Sequence, residues 1–539
     1  LDWSTISRAR ERIAQEQGTT YKDWGGRLPV ALVYPNSYHI GMSNLGVHVV
    51  YSLFNQFPDV VCERVFREKE DDVPVSLESQ RPLRDFAVLA FSLSYELDYL
   101  NLVAMLRQSA IPIAADARDE RYPLLIAGGP CVMANPEPLA AILDVCAIGE
   151  GEVIVPTLVD ALTQPGALSR AELLRHLATV PGLYVPRSYH LRDEAGRLAS
   201  ITPTNGVPYP VSRQWLRDLD DQPAHSVILT ADTQFGDMYL LEVSRGCGRG
   251  CHFCLAGVTY APVRHRSLDV LLAVAREGLR HRDKLGLIGA SLSDYPHVEK
   301  LAQDLRGMGA RISVASLRVD PLPDALLEAL ADSGSRTVTI APEAGSERLR
   351  RKIRKGISTA DILGAVERLA RYDFPQLKLY FMLGLPTEEE SDVHEIVELL
   401  RAVRERYNRQ ITVNITPFVP KAHTPFQREA MAPRKVLEDR LDLVRGGLRP
   451  LNVETVAYSP RWAEVQGVLA RGDRQVSEAL VALDGTSMSA WRRALRATGI
   501  KADSYLRQWP TNAMLPWSTI ASRACEGKPS RELVSQAMP

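Results

Sequence analysis

Strand-length apolar runs alternate with helix-length amphipathic stretches in two separate blocks of this chain. That alternation calls for parallel sheets backed by helices, which makes the chain α/β. The first block covers residues 28–164. Its strand candidates are Pro29–Pro35, Val60–Phe66, Phe86–Ser92, Leu124–Gly128 and Val145–Gly149, with helices at Tyr99–Ser109 and Glu152–Leu162. Five such strands predict a doubly wound, Rossmann-like domain, which binds its ligand at the carboxyl ends of the strands. The loops at those ends, 35–46, 92–96, 127–138 and 148–152, are small and polar.

The second block covers 237–445, with strand candidates Tyr239–Ser244, Leu285–Ala290, Ile312–Ser316, Thr337–Ala341, Leu377–Leu383 and Ile411–Pro417. Helices at Leu268–Arg280, Ala325–Asp332, Ile362–Arg371 and Glu389–Tyr407 lie between them. Six β/α units predict a partial (β/α)6 barrel with its chemistry at the strand C-termini. Residues 1–27 read as an N-terminal helical segment and 165–236 as a linker with a small β element. Residues 446–539 read as a mainly helical C-terminal region with one strand, Val453–Tyr458. That region is expected to cover the barrel mouth, where Tyr458, Arg461 and Trp462 would contribute to specificity or simply pack.

Composition adds constraints. Of 539 residues, 45% are hydrophobic and 24% charged, and the formal charge is −1, as in an ordinary soluble globular protein. No global basic field points to nucleic acid, although a local patch stays open. The apolar runs are too short for a membrane span, and residues 1–17 carry charges where a signal peptide needs an apolar core. The seven cysteines are odd in number and three fall within eight residues, which is not a disulfide framework. A reduced, cytoplasmic setting is the expectation.

Those three, Cys247, Cys251 and Cys254, have the spacing C-x3-C-x2-C in a loop with Gly246, Gly248 and Gly250. Thiolates hold iron–sulfur clusters, and three of them on a four-iron cluster leave one iron open for a reactant. A structural zinc site is the alternative. It wants a fourth ligand, for which His252 and His265 are the candidates, and it would make the chain a zinc-stabilised nucleic-acid-binding protein.

The same spacing with an aromatic residue, Phe253, before the last cysteine resembles the signature of the radical S-adenosyl-L-methionine (SAM) superfamily. The resemblance implies a 4Fe-4S cluster on Cys247, Cys251 and Cys254, with SAM chelating the open iron. It implies reductive cleavage of SAM to a 5′-deoxyadenosyl radical that takes hydrogen from a substrate. It also implies an electron donor such as flavodoxin or ferredoxin. Gly289 and Ser291 stand where relatives carry the glycine-rich segment for the SAM amino group, here Gly-Ala-Ser and not Gly-Gly-Glu. Ser316, Arg318 and Glu343 match positions that hold SAM's ribose and carboxylate. The basic run Arg348, Arg350, Arg351, Lys352, Arg354 and Lys355 would meet RNA phosphates or form a solvated face.

Loops of the first block resemble the cobalamin-binding domain that often precedes a radical SAM barrel. Ser92, Ser94, Gly128, Gly129, Gly149, Glu150, Gly151 and Glu152 match loops around the corrin and its nucleotide tail. The cobalt-ligating pattern D-x-H-x-x-G is absent; residues 36–41 read Asn-Ser-Tyr-His-Ile-Gly, so His39 is the histidine left to approach cobalt. The resemblance implies cobalamin-dependent methylation of an unactivated carbon, on a small molecule or RNA. The alternatives are RNA modification, rearrangement or cyclisation without methyl transfer. A methylthiotransferase would need three further cluster cysteines. Cys62, Cys131 and Cys146 are 69 and 15 positions apart, with Cys62 and Cys146 in strand runs and Cys131 in a loop that faces the expected corrin. Cys525 sits in the tail without an evident role.

Overall fold

A computed structural model describes residues 3–521 except 71, 165, 167, 195 and 196. The chain enters through a helix, Trp3–Ile13, and then builds a six-stranded sheet. Its strands are β1 (Leu28–Tyr34), β2 (Val60–Phe66), β3 (Val88–Ser92), β4 (Leu124–Gly128), β5 (Val145–Ala147) and β6 (Leu183–Tyr184), in the order β2-β1-β3-β4-β5-β6. The first five are parallel and β6 is antiparallel. Val30 lies between Cys62 and Val88 in register. β1, β3, β4 and β5 read as apolar runs because both faces are covered, whereas β2 carries the buried Glu63 and Arg64.

One face packs on helices Leu45–Gln56 and Gly151–Leu162, through Leu32, Ala90, Ile126 and Ala147. The opposite face packs on helix Asp98–Gln108 and, further out, on the C-terminal helices Pro460–Arg471, Arg474–Val481 and Met488–Ala497. Val468, Leu480, Trp491 and Leu495 share one apolar cluster with Leu89, Phe91 and Val103. The C-terminal helices therefore flank the first sheet, while the segment after them covers loops at the barrel mouth: Leu515 and Trp517 share an apolar cluster with Ala422 and Leu255, and the Trp517 indole N–H donates to Gln427 at 2.8 Å. The helices follow the burial available: they carry an apolar face, and the outer side of helix Asp98–Gln108 gives it a partner. Tyr458 meets the first domain through a hydroxyl–hydroxyl hydrogen bond to Tyr95, and Trp462 packs half-buried on the same cluster.

A hairpin of β7 (Tyr189–Glu194) and β8 (Arg197–Pro203) precedes the second block. There β9 (Met238–Glu242) leads into β10 (Ser244–Arg245), which pairs antiparallel with β11 (Arg264–His265). Then follow β12 (Lys284–Ile288), β13 (Arg311–Val314), β14 (Thr337–Glu343), β15 (Gln376–Leu383), β16 (Gln410–Pro417) and β17 (Glu454–Ala457). All pairings from β9 to β17 outside the β10–β11 ribbon are parallel, in the orders β13-β12-β9 and β14-β15-β16-β17. A parallel bridge, Leu317 to Ile340, joins the two arcs into an open barrel. Side chains alternate: Leu377, Leu379 and Phe381 turn out to the covering helices, and Lys378 and Tyr380 turn in. Among the described residues no helix is long and apolar enough to cross a membrane. Cys525 lies outside the described residues.

Candidate functional site

Both parallel sheets end at one cavity of about 730 Å³. Its N-terminal wall begins as an apolar slot between the first sheet and its two helices, with Leu32, Ala90, Ile126, Val50, Val155 and Leu158 as sides. At the strand ends the slot opens between Ser92, Ser94, Gly128, Gly129, Gly149 and Gly151. The barrel wall presents Glu242, Ser244, Arg245, Gly246, Ile288, Gly289 and Ala315. Some glycines here serve packing: a Cβ on Gly149 would stand 2.6 Å from the carbonyl oxygen of Gln214, and one on Gly289 2.8 Å from Ser244 Oγ.

Glu150 and Glu152 reach the cavity edge, but their carboxylates are bound to the barrel. Arg264 donates to Glu150 at 2.6 and 2.9 Å, and Arg245 donates to Glu150 at 2.9 Å and to Glu152 at 2.7 Å. Arg245 also donates to Glu242 at 2.9 Å. Burial alone would raise the Glu150 carboxyl, but hydrogen bonds from Arg264 and the charges of Arg245 and Arg264 leave it below its ordinary value. These side chains clamp domain to domain, two residues before Cys247. Sequence reading assigned both carboxylates to the corrin loops because their partners lie 93 to 114 positions away.

Gly246 starts the cysteine loop at φ +86°, where a Cβ would meet the carbonyl oxygen of Tyr260 at 2.4 Å. Only glycine makes this turn. Further anchors come from the far side of the barrel. His252 N–H donates to Ile353 O at 3.0 Å, His252 Nδ1 lies 3.0 Å from Lys352 O, and Phe426 N–H donates to His252 O at 3.1 Å. Phe253 packs against the apolar cluster of Ile353, Met382, Phe418 and Phe426, so its ring braces the loop from behind and does not face the cavity. Arg249 donates to Asp294, which also accepts from Ser291 Oγ at 2.5 Å, while Arg318 Nε stands 4.0 Å from the same carboxylate. Asp294 thus ties the cysteine loop to two of the positions singled out in the sequence. The turn Ser291–Asp294 was the only local signal for it.

The three thiols are partly exposed. Burial raises the Cys251 thiol, with Lys355 and Arg318 opposing; burial likewise raises Cys254, against which the backbone N–H groups of Ala256 and Gly257 act. Those cations and amides favour the thiolate that iron needs. Among the described residues no three His, Cys, Asp or Glu side chains converge on a single ion. A tetrahedral zinc would draw its sulfurs to within about 4 Å of each other, whereas a cluster spreads them over separate corners. His252 is turned to Lys352, so it does not complete a zinc set. The donor set fits a cluster.

Glu343 ends β14 at φ +70°, a left-handed conformation that a non-glycine residue rarely adopts. Lys355 Nζ donates to it at 3.0 Å. Burial raises its carboxyl, with Lys355 opposing. Ser316 is exposed at the end of β13. Ser291, Arg318 and Glu343 lie around the cysteine loop, and neither they nor Ser316 line the cavity wall. His39 is set apart from all of these: its exposed ring faces Asp232 at 3.1 Å and does not line the cavity, so the histidine marked for cobalt is turned away. Half of the basic run is engaged within the fold, while Arg351, Lys352 and Arg354 are exposed. Arg350 is fully buried on the carbonyls of Ala344, Gly345 and Ile357, Arg348 pairs with Asp392, and Lys355 with Glu343.

Residues 46–186 match the family model described as radical SAM proteins, N-terminal, and residues 241–400 match that of the radical SAM superfamily. An uncharacterized protein, MJ0966, of Methanocaldococcus jannaschii is 33% identical over 84% of this chain and 90% of its own. The chain belongs to the radical SAM superfamily. It is a radical SAM enzyme, and the family's 4Fe-4S cluster and SAM are its cofactors. A threonylcarbamoyladenosine tRNA methylthiotransferase, MtaB, of Treponema pallidum is 26% identical over 37% of this chain and 43% of its own, so that match spans less than half the relative's length. Among solved structures, the radical SAM methyltransferase TsrM of Kitasatospora setae, with cobalamin and a 4Fe-4S cluster bound, aligns at a TM-score of 0.52 and 14% identity. The alignment covers 89% of this chain and 99% of that one, and it shows a shared fold.

The remaining cysteines of this radical SAM chain among the described residues are core residues. Cys62 belongs to the apolar cluster on one face of the first sheet, and Cys131 and Cys146 belong to the cluster on the other. Cys131, in the first turn of helix Pro130–Ala134, is buried and does not face the cavity, against the sequence expectation. The sheet itself separates the three, so they cannot share one cluster.

Proposed function

We propose that the chain is a cobalamin-dependent radical SAM methyltransferase that methylates an unactivated carbon. The observation that carries this reading is the single cavity between the carboxyl ends of both sheets, with the cysteine loop at its barrel-side rim. Its N-terminal part is a glycine-rimmed mouth over an apolar slot, the shape that takes a large, flat group with a trailing arm. The fold shared with TsrM, whose structure contains cobalamin, supports the same assignment.

Cys247, Cys251 and Cys254 would hold the cluster, and Lys355 and Arg318 at Cys251 and the amides of Ala256 and Gly257 at Cys254 would oppose the burial that raises those two thiols. Ser291, Arg318 and Glu343 stand around the loop and, with Ser316, would hold SAM. The corrin would lie against Ser92, Ser94, Gly128, Gly129 and Gly151, its tail in the slot beside Val155 and Leu158. Once bound, these groups supply reductive SAM cleavage and a methyl carrier. The protein's part is to fix the distance between them, and the Glu150/Glu152 clamp on Arg245 and Arg264 does this. Among the described residues no histidine lines the cavity.

Anaerobic reconstitution with iron, sulfide, cobalamin and SAM tests the proposal. Expected are a corrin absorbance retained through gel filtration and, with substrate and reductant, both S-adenosylhomocysteine and 5′-deoxyadenosine. Retained iron without retained corrin would overturn the cobalamin assignment. The likeness to MtaB raises the alternative of RNA modification. Of the basic run, Arg348, Arg350 and Lys355 are engaged within the fold, and Arg351, Lys352 and Arg354 are the exposed cations that RNA phosphates would meet.

A further inference from the structure

The lowest layer of the barrel lumen satisfies its own polar groups, and the layers above it do not. Thr337 Oγ1 donates to Gln376 Oε1 at 2.7 Å, Gln376 Nε2 donates to Thr412 Oγ1 at 2.8 Å, and Thr412 Oγ1 donates to Glu454 Oε2 at 2.9 Å. That chain of bonds crosses β14 to β17 and closes the floor. Lys378 is next to Thr412 in register, at the top of that chain, and Tyr380 and Asn414 pair two residues higher. Their neighbours Leu377, Leu379, Val413 and Ile415 are in the outer core, so these three side chains face the lumen. Lys378 has no carboxylate partner among the described residues; its ammonium stands 5.9 Å from the centre of the Tyr380 ring. Asn414 Oδ1 is shut off from solvent and has no hydrogen-bond donor. A buried amide oxygen left unpaired is costly, and native interiors rarely keep one without a use.

The central cavity meets the lumen from the opposite arc, and none of its lining residues comes from β14 to β17. Leu240, Glu242, Ile288 and Ala315 line it from β9, β12 and the end of β13, across the barrel from Lys378 and Asn414. SAM's carboxylate has its own cations beside the cysteines, Arg318 and Lys355, both close enough to act on Cys251. A second cation on the far wall is therefore left for a second molecule.

We infer that this wall is the polar anchor of the substrate: a small molecule whose carboxylate or phosphate pairs with Lys378 and whose N–H or O–H group donates to Asn414. The inference rests on the reading of the cavity as a catalytic chamber. A cation facing a low-dielectric lumen discriminates strongly between an anion and its neutral analogue, because the neutral analogue leaves the charge unpaired.

The test uses cluster- and cobalamin-loaded protein with SAM. A panel of amino acids and short-chain phosphate monoesters is compared with the corresponding carboxamides and alcohols by equilibrium dialysis. Expected is at least one anion that binds tenfold or more tightly than its neutral counterpart. Lys378→Met should remove that difference and Lys378→Arg should keep it, while Asn414→Leu should weaken the anion several-fold. Carboxylate members against phosphate members tell the two anion chemistries apart. If no anion binds in preference to its neutral counterpart, the inference falls. It falls equally if Lys378→Met weakens SAM and leaves the panel unchanged, since Lys378 would then belong to SAM. Anion binding without methyl transfer would sink the proposed reaction and leave this site standing; methylation of a neutral substrate would do the reverse.

Discussion

On the N-terminal wall of the cavity the lining is glycine, serine and aliphatic carbon, and its carboxylates, Glu150 and Glu152, are bound to arginines of the barrel. Around the barrel rim, three thiols, Arg318, Glu343 and Lys355 gather within reach of one another. The first surface can select by shape and apolar contact. The second can select by ligation and charge. Two neighbouring sites of one enzyme thus recognise their groups by different physics, and each should fail in its own way.

The ligating site should fail completely. Replacing Cys247, Cys251 or Cys254 with alanine removes one of three thiolates from a cluster that has no spare ligand nearby. Iron should fall from about four per chain to near zero. Formation of 5′-deoxyadenosine should drop by at least ~10³-fold, while retained corrin absorbance stays close to that of the unmodified chain. Joint loss of iron and corrin would mean that the two walls are not separable.

The clamp between the walls comes next. Glu150 is nearly inaccessible, at 2% side-chain exposure, and bonds two arginines of the other domain. Glu150→Gln leaves those buried cations underpaired, a change worth about 3–5 kcal/mol in comparable sites. A lower melting temperature and faster proteolysis between the domains are expected. Since the folded carboxyl lies below its ordinary value, its stabilising effect is complete above that value of 4.5 and is lost as the pH falls through the folded one. The unmodified protein should therefore lose stability on acidification in that window, and Glu150→Gln should flatten the loss.

The shape-selecting wall should respond to volume alone. Ala147 lines the slot, and a Cβ on Gly128 would already stand 3.4 Å from it. Ala147→Leu crowds a packed site by a typical ~1–3 kcal/mol, which predicts a weakening of corrin retention by about tenfold. Iron content should stay unchanged. A loss of iron would show that the slot carries stability for the barrel as well.

Much of this was legible in the sequence, for reasons that mark where legibility stops. Strands of the first block such as β1, β3 and β4 stand out as apolar runs covered on both faces and bounded by Pro35 or Gly128–Gly129, while β15 and β16 of the barrel stand out by alternation of apolar and polar residues. The cysteine triplet stands out because its three ligands are local. What stayed hidden is what depends on distant partners. Glu150 and Glu152 sit in a glycine loop that reads like a ligand loop, and nothing nearby names Arg264. Glu343 reads as a lone inward carboxylate until Lys355 folds onto it. The C-terminal helices carry a clear apolar face, but periodicity does not say whether it meets the barrel or the first sheet. Lys378 and Asn414 read as ordinary alternation until the layer below them is seen to be satisfied and theirs is not.

The smallest effect tests the same boundary from the other side. His39 was the one histidine in the loop where related domains ligate cobalt, and in the folded chain its ring is 47% exposed and paired with Asp232. A surface pair of this kind contributes little, so His39→Ala should change stability by no more than about 0.5 kcal/mol. More telling is the corrin spectrum. With the ring outside the cavity, His39→Ala should leave the absorbance of bound cobalamin, and its shift with pH, as in the unmodified protein. An altered spectrum would place the imidazole at cobalt. The N-terminal wall would then ligate its cofactor as the barrel wall does, and the contrast between selection by shape and selection by donors would no longer hold.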